Sequence, residues 1–261
     1  MLSPAPERKI LRRMNYISDQ KGILRRYIRE QGLWNSHLQN AGSFIIHVLQ
    51  NHPVNHIVLL GSGWLLDFPI EKILPLVQKI TLVDIYFPQE ILKKAESMKG
   101  VECVAADITG GYIGTIYDSL RKLRSDFTIP DTIKSPYIEP EKGKLLISLN
   151  IMNQLDILLV DYIKSKIIIS EEQILEFRKR LQEDHKKLLF DHPYILITDC
   201  HELLINSTGN ILEDRELIFT ELPSGDIFEE WEWLFDSHQL YNADADTVMK
   251  VKAVFSNGVG I

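Results

Sequence analysis

The sequence predicts an α/β fold: a mostly parallel sheet of seven strands flanked by helices, with an N-terminal helical cap. Three observations predict it. Five short, nearly continuous apolar runs at 56–60, 79–84, 101–106, 144–149 and 194–199 alternate with helix-like segments, as parallel strands covered on both faces do. The first run ends in a glycine turn, Gly61-Ser62-Gly63, and the second ends in Asp84. Residues 18–50 carry apolar side chains at helical spacing, with Gly32 interrupting them.

In chain order, Ile23, Leu24, Tyr27 and Ile28 mark a first helix, and Leu38, Phe44, Ile45, Val48 and Leu49 mark the apolar face of a second, over Leu33 to Leu49. Trp34, His37 and Asn40, three apart, share one face of that second helix. His52-Pro53 stops it. Helices are expected over Phe68 to Lys79, Pro88 to Lys99, Tyr112 to Arg124, Met152 to Lys164 and Glu171 to Leu189, the first two opening on prolines. Residues 125–143 hold three prolines and no periodicity, and a loop this long suggests a lid. Ile218 to Leu222 and Trp231 to Phe235 read as extended, with Trp231 and Trp233 on one strand face. Val248 to Phe255 alternates partly, as an edge or antiparallel strand does. The domain division read from this pattern is a cap over residues 1–50 and a sheet domain over residues 51–261.

With 261 residues, 45% of them hydrophobic, the chain has ample material for one large core. It contains no apolar run long enough for a membrane span, and its N-terminus lacks the apolar core of a secretory signal. Cys103 and Cys200 each lie in or beside a strand-like run and read as reduced core residues, so a cytoplasmic location is expected. The eight histidines show no metal-ligand spacing, and no metal is expected. Residues 1–29 carry eight basic side chains against Glu7 and Asp19, so the rest of the chain holds more than the whole net charge of -7. An acidic body argues against nucleic acid as a partner.

The turn at Gly61-Ser62-Gly63 lies 21 residues before Asp84. A glycine turn after one strand and an acid at the tip of the next is how an open α/β sheet holds a nucleoside: the glycines admit the ligand and the acid binds ribose hydroxyls. A cap on the following helix is the other reading of Asp84.

Taken together, residues 50–257 resemble the class I S-adenosylmethionine-dependent methyltransferases, a Rossmann-like superfamily of five βα units followed by two further strands. Val58-Leu-Leu-Gly61-Ser62-Gly63 is similar to the glycine motif that packs on the methionine part of the cofactor. The family often has an acid where this chain has Leu59, and a third glycine where it has Leu65; Asp67 is a nearby acid beyond the turn. Asp84 and Ile85 match the ribose-binding tip of strand two. Asp107 and Ile108, in Val104-Ala-Ala-Asp107-Ile108-Thr109, match the adenine-binding tip of strand three. Leu149 and Asn150 match the region after strand four that faces the transferred methyl. There Ser148, Asn150, Asn153 and Gln154 cluster, helix capping by Ser148 or Asn150 being the alternative. The Asp/Asn-Pro-Pro-aromatic signature of base-amino methylating enzymes is lacking.

The resemblance implies S-adenosylmethionine as cofactor and methyl transfer by in-line displacement to an unidentified small-molecule acceptor. Trp34, His37, Asn153 and His201 are the substrate candidates. Asp199 and His201, at the end of strand five, both compete to face the substrate, a helix cap or a structural histidine being the plainer readings. Two rival functions remain at this level. One is a methyltransferase-like binding protein without activity, suggested by Leu59 and Leu65. The other is an NAD(P)-dependent oxidoreductase, against which Leu66 stands where Gly-x-Gly-x-x-Gly needs a glycine.

Overall fold

The computed structural model describes residues 2–121, 127–130, 133 and 135–258. Its strands are β1 (Ser3–Pro4), β2 (His56–Leu60), β3 (Lys79–Asp84), β4 (Val101–Asp107), β5 (Lys144–Leu149), β6 (Tyr194–Ile205), β7 (Ile211–Glu216), β8 (Ile227–Asp236) and β9 (Asp246–Ser256). Its helices are α1 (Arg8–Arg13), α2 (Tyr16–Arg29), α3 (Asn35–Asn51), α4 (Ile70–Ile73), α5 (Gln89–Glu96), α6 (Tyr112–Arg121), α7 (Ile157–Lys164) and α8 (Glu171–Phe190).

The strands join in the order β1-β4-β3-β2-β5-β6-β9-β8, with β7 paired to β6. β4, β3, β2, β5 and β6 run parallel. β9 inserts antiparallel between β6 and β8. Without β1 and β7, these are the seven strands expected, five parallel ones and two more. The sheet therefore holds nine strands where seven were expected. β1 is a two-residue antiparallel pairing of Ser3 and Pro4 with Asp107 and Ala106. β7 is exposed along its whole length and reads Ile-Leu-Glu-Asp-Arg-Glu, so no apolar alternation betrays it.

Alternation along the parallel strands splits the core in two. Ile57, Leu59, Ile80, Leu82, Leu145, Ile147, Ile195 and Ile197 face one side, against α3, α4 and α5. Val58, Leu60, Val83, Leu146 and Leu196 face the other, against Leu188 and Leu189 of α8. A further cluster joins α1, α6, α7 and α8 through Leu11, Ile116, Leu159, Ile163 and Phe177. The result is a helix–sheet–helix sandwich, with β2 at the point where the chain turns from filling one half of the sheet to filling the other.

Local chemistry sets most boundaries. α3 ends before His52-Pro53 as expected. α8 begins at Ser170, whose Oγ accepts from Gln173 N while Gln173 Oε1 accepts from Ser170 N, a complete capping box. Pro88 occupies the N-cap position of α5. The helix expected over 68–79 shrinks to α4 and a 3-10 turn at Leu74–Leu76, because Pro75 cannot donate an N–H within a continuing helix. Ile218 to Leu222 is not a strand. Gln182 of α8 takes its backbone groups instead, donating to Leu217 O at 2.9 Å and accepting from Phe219 N at 2.7 Å. Part of the 125–143 segment lies outside the described residues. Of the rest, Phe127, Ile129 and Ile133 pack on the cluster around α6 and α8. Cys103 is half-buried and Cys200 buried, and both are free thiols.

One backbone irregularity matters for the site. β6 pairs Asp199 with Val251 but His201 with Lys250, leaving Cys200 as an extra residue, a β-bulge. Before it Ile197 and Asp199 share a face; after it that face belongs to Glu202.

Gly61 follows β2 with φ +77°, and a Cβ there would stand 2.7 Å from Ile151 Cβ and 3.2 Å from Leu149 O. Gly61→Ala should therefore cost about 2–4 kcal/mol, combining left-handed strain with overpacking. Urea unfolding measures it, and a loss below about 0.5 kcal/mol would mean the turn relaxes around the methyl.

Candidate active site

The carboxyl ends of β2 to β6 open onto one cavity of about 460 Å³. An open sheet places its ligand crevice there, beside the strand where the order reverses. Gly61, Ser62, Gly63, Asp84, Ile85, Asp107, Ile108, Leu149 and Asn150 all line it, as do Trp34, His37 and Asn153. His201 does not. The bulge at Cys200 turns it to the opposite face, where Nδ1 meets Asp214 Oδ1 at 2.7 Å. Asp199, which competed with it, lines the cavity together with Glu202. Strict alternation puts 199 and 201 on one face, and the bulge separates them. Asn40 is half-buried and outside the lining.

Asp84 ties the turn to the sheet. Its Oδ2 accepts from Gly63 N at 2.7 Å, and its Oδ1 accepts from Gln20 Nε2 at 2.9 Å and from Tyr86 N at 3.3 Å. It is not the cap of α5. Gln20 belongs to α2 and also accepts, through its carbonyl, from Trp64 Nε1 at 2.8 Å. Burial raises the Asp84 pKa, and the N–H groups of Gly63 and Tyr86 work against that rise. Asp107 Oδ1 accepts from Thr109 N and Oγ1. Burial raises its pKa as well.

Leu59 is fully buried in the core and outside the cavity lining, so no acid stands at that position. Leu65, by contrast, has φ +56°, the left-handed conformation a glycine would adopt there. The backbone path of the turn is thus kept without the glycine.

A second polar group gathers beside Asn150, itself left-handed at φ +49°. Asn150 Nδ2 donates to Asp67 Oδ2 at 2.6 Å. His37 is fully buried, stacked on Trp233 with ring centroids 3.9 Å apart. Trp231 Nε1, which can only donate, bonds to His37 Nδ1 at 3.1 Å. His37 Nε2 lies 3.3 Å from Asn150 Nδ2 and 3.9 Å from Asp67 Oδ2. Both tryptophans of β8 thus face His37. Trp34 donates to Phe235 O and meets the Trp233 ring edge-on. Asp199 Oδ2 accepts from Asn153 Nδ2 at 3.4 Å. Burial pushes the Asp199 pKa up to about 6; His37 opposes the rise and Asp67 adds to it.

Eight buried polar atoms without a hydrogen-bond partner belong to residues of this lining: the acceptors or hydroxyls Tyr16 Oη, Gln20 Oε1, Ser62 Oγ, Asp107 Oδ2, Asn150 Oδ1 and Asp199 Oδ1, and the donors Arg26 Nε and Trp233 Nε1. Buried polar atoms are almost always satisfied, so this concentration marks a site for a polar ligand. Tyr16, Asp19, Gln20 and Ile23 of α2 were missed from the sequence, although their i, i+3, i+4, i+7 spacing is a helix face. Among the described residues no group of three or more His, Cys, Asp or Glu side chains is placed to hold a metal ion.

No family model matches the chain, and no curated protein does. Among solved structures it is similar to the N-methyltransferase NodS from Bradyrhizobium japonicum WM9 in complex with S-adenosylhomocysteine, at 12% identity over 87% of this chain and 90% of that one, TM-score 0.38. It is also similar to the 1,6-didemethyltoxoflavin-N1-methyltransferase of Burkholderia thailandensis, at 13% identity over 92% and 89%, TM-score 0.37. A complex of DhpI with S-adenosylhomocysteine matches at 9% identity over 91% and 95%, TM-score 0.36. These similarities are slight.

The raised Asp199 pKa gives a testable pH dependence. A carboxyl whose pKa is higher folded than unfolded stabilises the fold at low pH and loses that contribution as pH rises, here from about 4 through about 6. Asp199→Asn lacks this titration. Its stability relative to the unmodified protein should therefore rise by about 2 kcal/mol between pH 4 and pH 7. Chemical denaturation across that range measures it, and a pH-independent difference counts against the shift.

Proposed function

We propose that this chain is an S-adenosylmethionine-dependent methyltransferase acting on a small molecule. The observation that carries the reading is the convergence of Asp84, Asp107 and the Gly61–Gly63 turn on one cavity at three adjacent strand ends, with Asp107 Oδ2 left unpartnered. The residues suit the cofactor. Asp84 keeps a free lone pair for a ribose hydroxyl on Oδ2, which accepts only from Gly63 N, whereas Oδ1 already accepts twice. Asp107 Oδ2 is a free acceptor for the adenine amino group, and Ile108 lines the ring. The turn from Gly61 to Gly63 packs on the methionine part. Asp67 supplies, from beyond the turn, the carboxylate for the methionine ammonium that Leu59 cannot.

When bound, S-adenosylmethionine supplies a methyl already activated by its sulfonium. The chain's task is alignment and exclusion of water. Leu149 and Asn150 face the methyl, while Trp34 and His37 of α3, backed by the β8 tryptophans, close the acceptor side. In this reading residues 1–50 are the cap over the crevice and residues 51–261 the sheet domain. A cavity of about 460 Å³ suits one drug-sized ligand and leaves room only for a small acceptor.

Thermal shift tests this. S-adenosylmethionine and S-adenosylhomocysteine at about 100 times their Kd should stabilise the protein by about 2.7 kcal/mol, a rise of several degrees. NAD and NADP should give none. Asp84→Ala should abolish the rise while leaving the circular-dichroism spectrum folded. No rise with either sulfur compound at millimolar concentration rejects the reading, and a rise with NAD alone replaces it with an oxidoreductase.

A further inference from the structure

We infer that the methyl acceptor is an amine, and that Asp199 binds its ammonium form and takes the proton that the nitrogen gives up. The inference rests on the methyltransferase reading and deepens it. Asp199 is 3% exposed and lines the cavity, yet Oδ1 has no hydrogen-bond partner and Oδ2 has one long bond, to Asn153. Among the described residues no lysine or arginine forms an ion pair with Asp199, and the nearby Asp67 adds a like charge. A buried carboxylate left this way costs free energy unless a ligand supplies the counter-charge. Its neighbour Asp67 is already engaged by Asn150.

The rest of the lining selects for the same charge. Asp19, Asp161 and Glu202 add carboxylates to it, whereas Arg26 is the one lysine or arginine it contains. Arg26 is itself held 4.4 Å from the Phe235 ring and 4.8 Å from the Tyr241 ring. Glu202 is paired with Arg215 and Asp19 feels Arg26, but an anionic acceptor would still meet Asp199, Asp67 and Asp161, for which no lysine or arginine ion pair is found among the described residues. A cation finds its counter-charge at the open Oδ1 of Asp199.

His37 cannot serve as the base. Nδ1 is spent on the Trp231 N–H, and Nε2 is taken up by the Asn150 amide at 3.3 Å. Asp199 is the remaining acceptor. The step then balances. The bound ammonium first gives one proton to the Asp199 carboxylate, which frees the nitrogen lone pair; that pair then forms the nitrogen–carbon bond as the carbon–sulfur bond breaks, the sulfur keeping the electron pair to become a neutral thioether and the methylated nitrogen carrying the positive charge. The one proton released from nitrogen passes from Asp199 on to water.

The test uses the full chain saturated with S-adenosylhomocysteine, titrated at pH 8 with 2-phenylethylamine, 2-phenylethanol and phenylacetate in a calorimeter. The amine should bind at least about tenfold more tightly than the alcohol or the acid, as a charge-assisted bond to a buried carboxylate provides. Asp199→Asn should remove that advantage while S-adenosylhomocysteine affinity stays within about twofold. If S-adenosylhomocysteine binds but the amine has no advantage, the amine inference is overturned and the methyltransferase reading stands. If Asp199→Asn weakens S-adenosylhomocysteine as much as the amine, Asp199 belongs to the cofactor's subsite and the inference again fails. If S-adenosylhomocysteine does not bind the unmodified protein, the methyltransferase reading falls and takes this one with it.

Discussion

A single carboxylate holds the working end of this molecule together. Asp84 sits at the tip of β3, accepts the Gly63 N–H at the turn after β2 and accepts the Gln20 side chain from α2. Three segments distant in sequence are thereby fixed to within one side chain's reach. The tie is charge-assisted and buried, the combination in which a hydrogen bond is strongest and its loss most costly. The same oxygens line the cavity, so the geometry of the turn and the geometry of the proposed ribose contacts are one constraint. α2 lies over the crevice because Gln20 and the Trp64–Gln20 bond put it there.

The parallel half of the sheet was legible because burial on both faces writes continuous apolar runs, and no other arrangement of this length does so as cleanly. Asp84 and Asp107 were legible because each follows such a run directly. What escaped has identifiable causes. β7 is wholly exposed and charged, so hydrophobicity carries no trace of it. Ile218 to Leu222 looked extended because it is apolar, but a glutamine from α8 takes the place of a partner strand. That Asp199 lines the cavity and His201 does not follows from one extra residue in β6, a backbone event that periodicity cannot register. Leu65, which stands where the resembling family often has a glycine, takes a left-handed conformation and buries its side chain in the core.

The two ends of the cavity differ in how they treat polar groups. At the β3–β4 end the carboxylates accept from backbone and side-chain N–H groups of the chain itself, which orients them. At the β6–β8 end Asp199 is held by one weak bond beneath a stack of His37 on Trp233. Aromatic packing there does the positioning that hydrogen bonds do elsewhere. Trp34 carries it back to α3, through its bond to Phe235 O and its contacts with Trp233 and Phe235.

The bulge at Cys200 divides β6 into two parts with separate obligations. Up to Ile197 the strand is a parallel member of the central sheet, with neighbours on both sides. Past the bulge it belongs to an antiparallel ribbon with β7 and β9, whose outer strand touches none of the core. The wall bearing Trp231 and Trp233 hangs from that ribbon through β9. The molecule is therefore modular along its sheet. The ribbon and its wall can be exchanged or diversified as a block, in a library or in divergence, while β2 to β4 and their carboxylates keep their register.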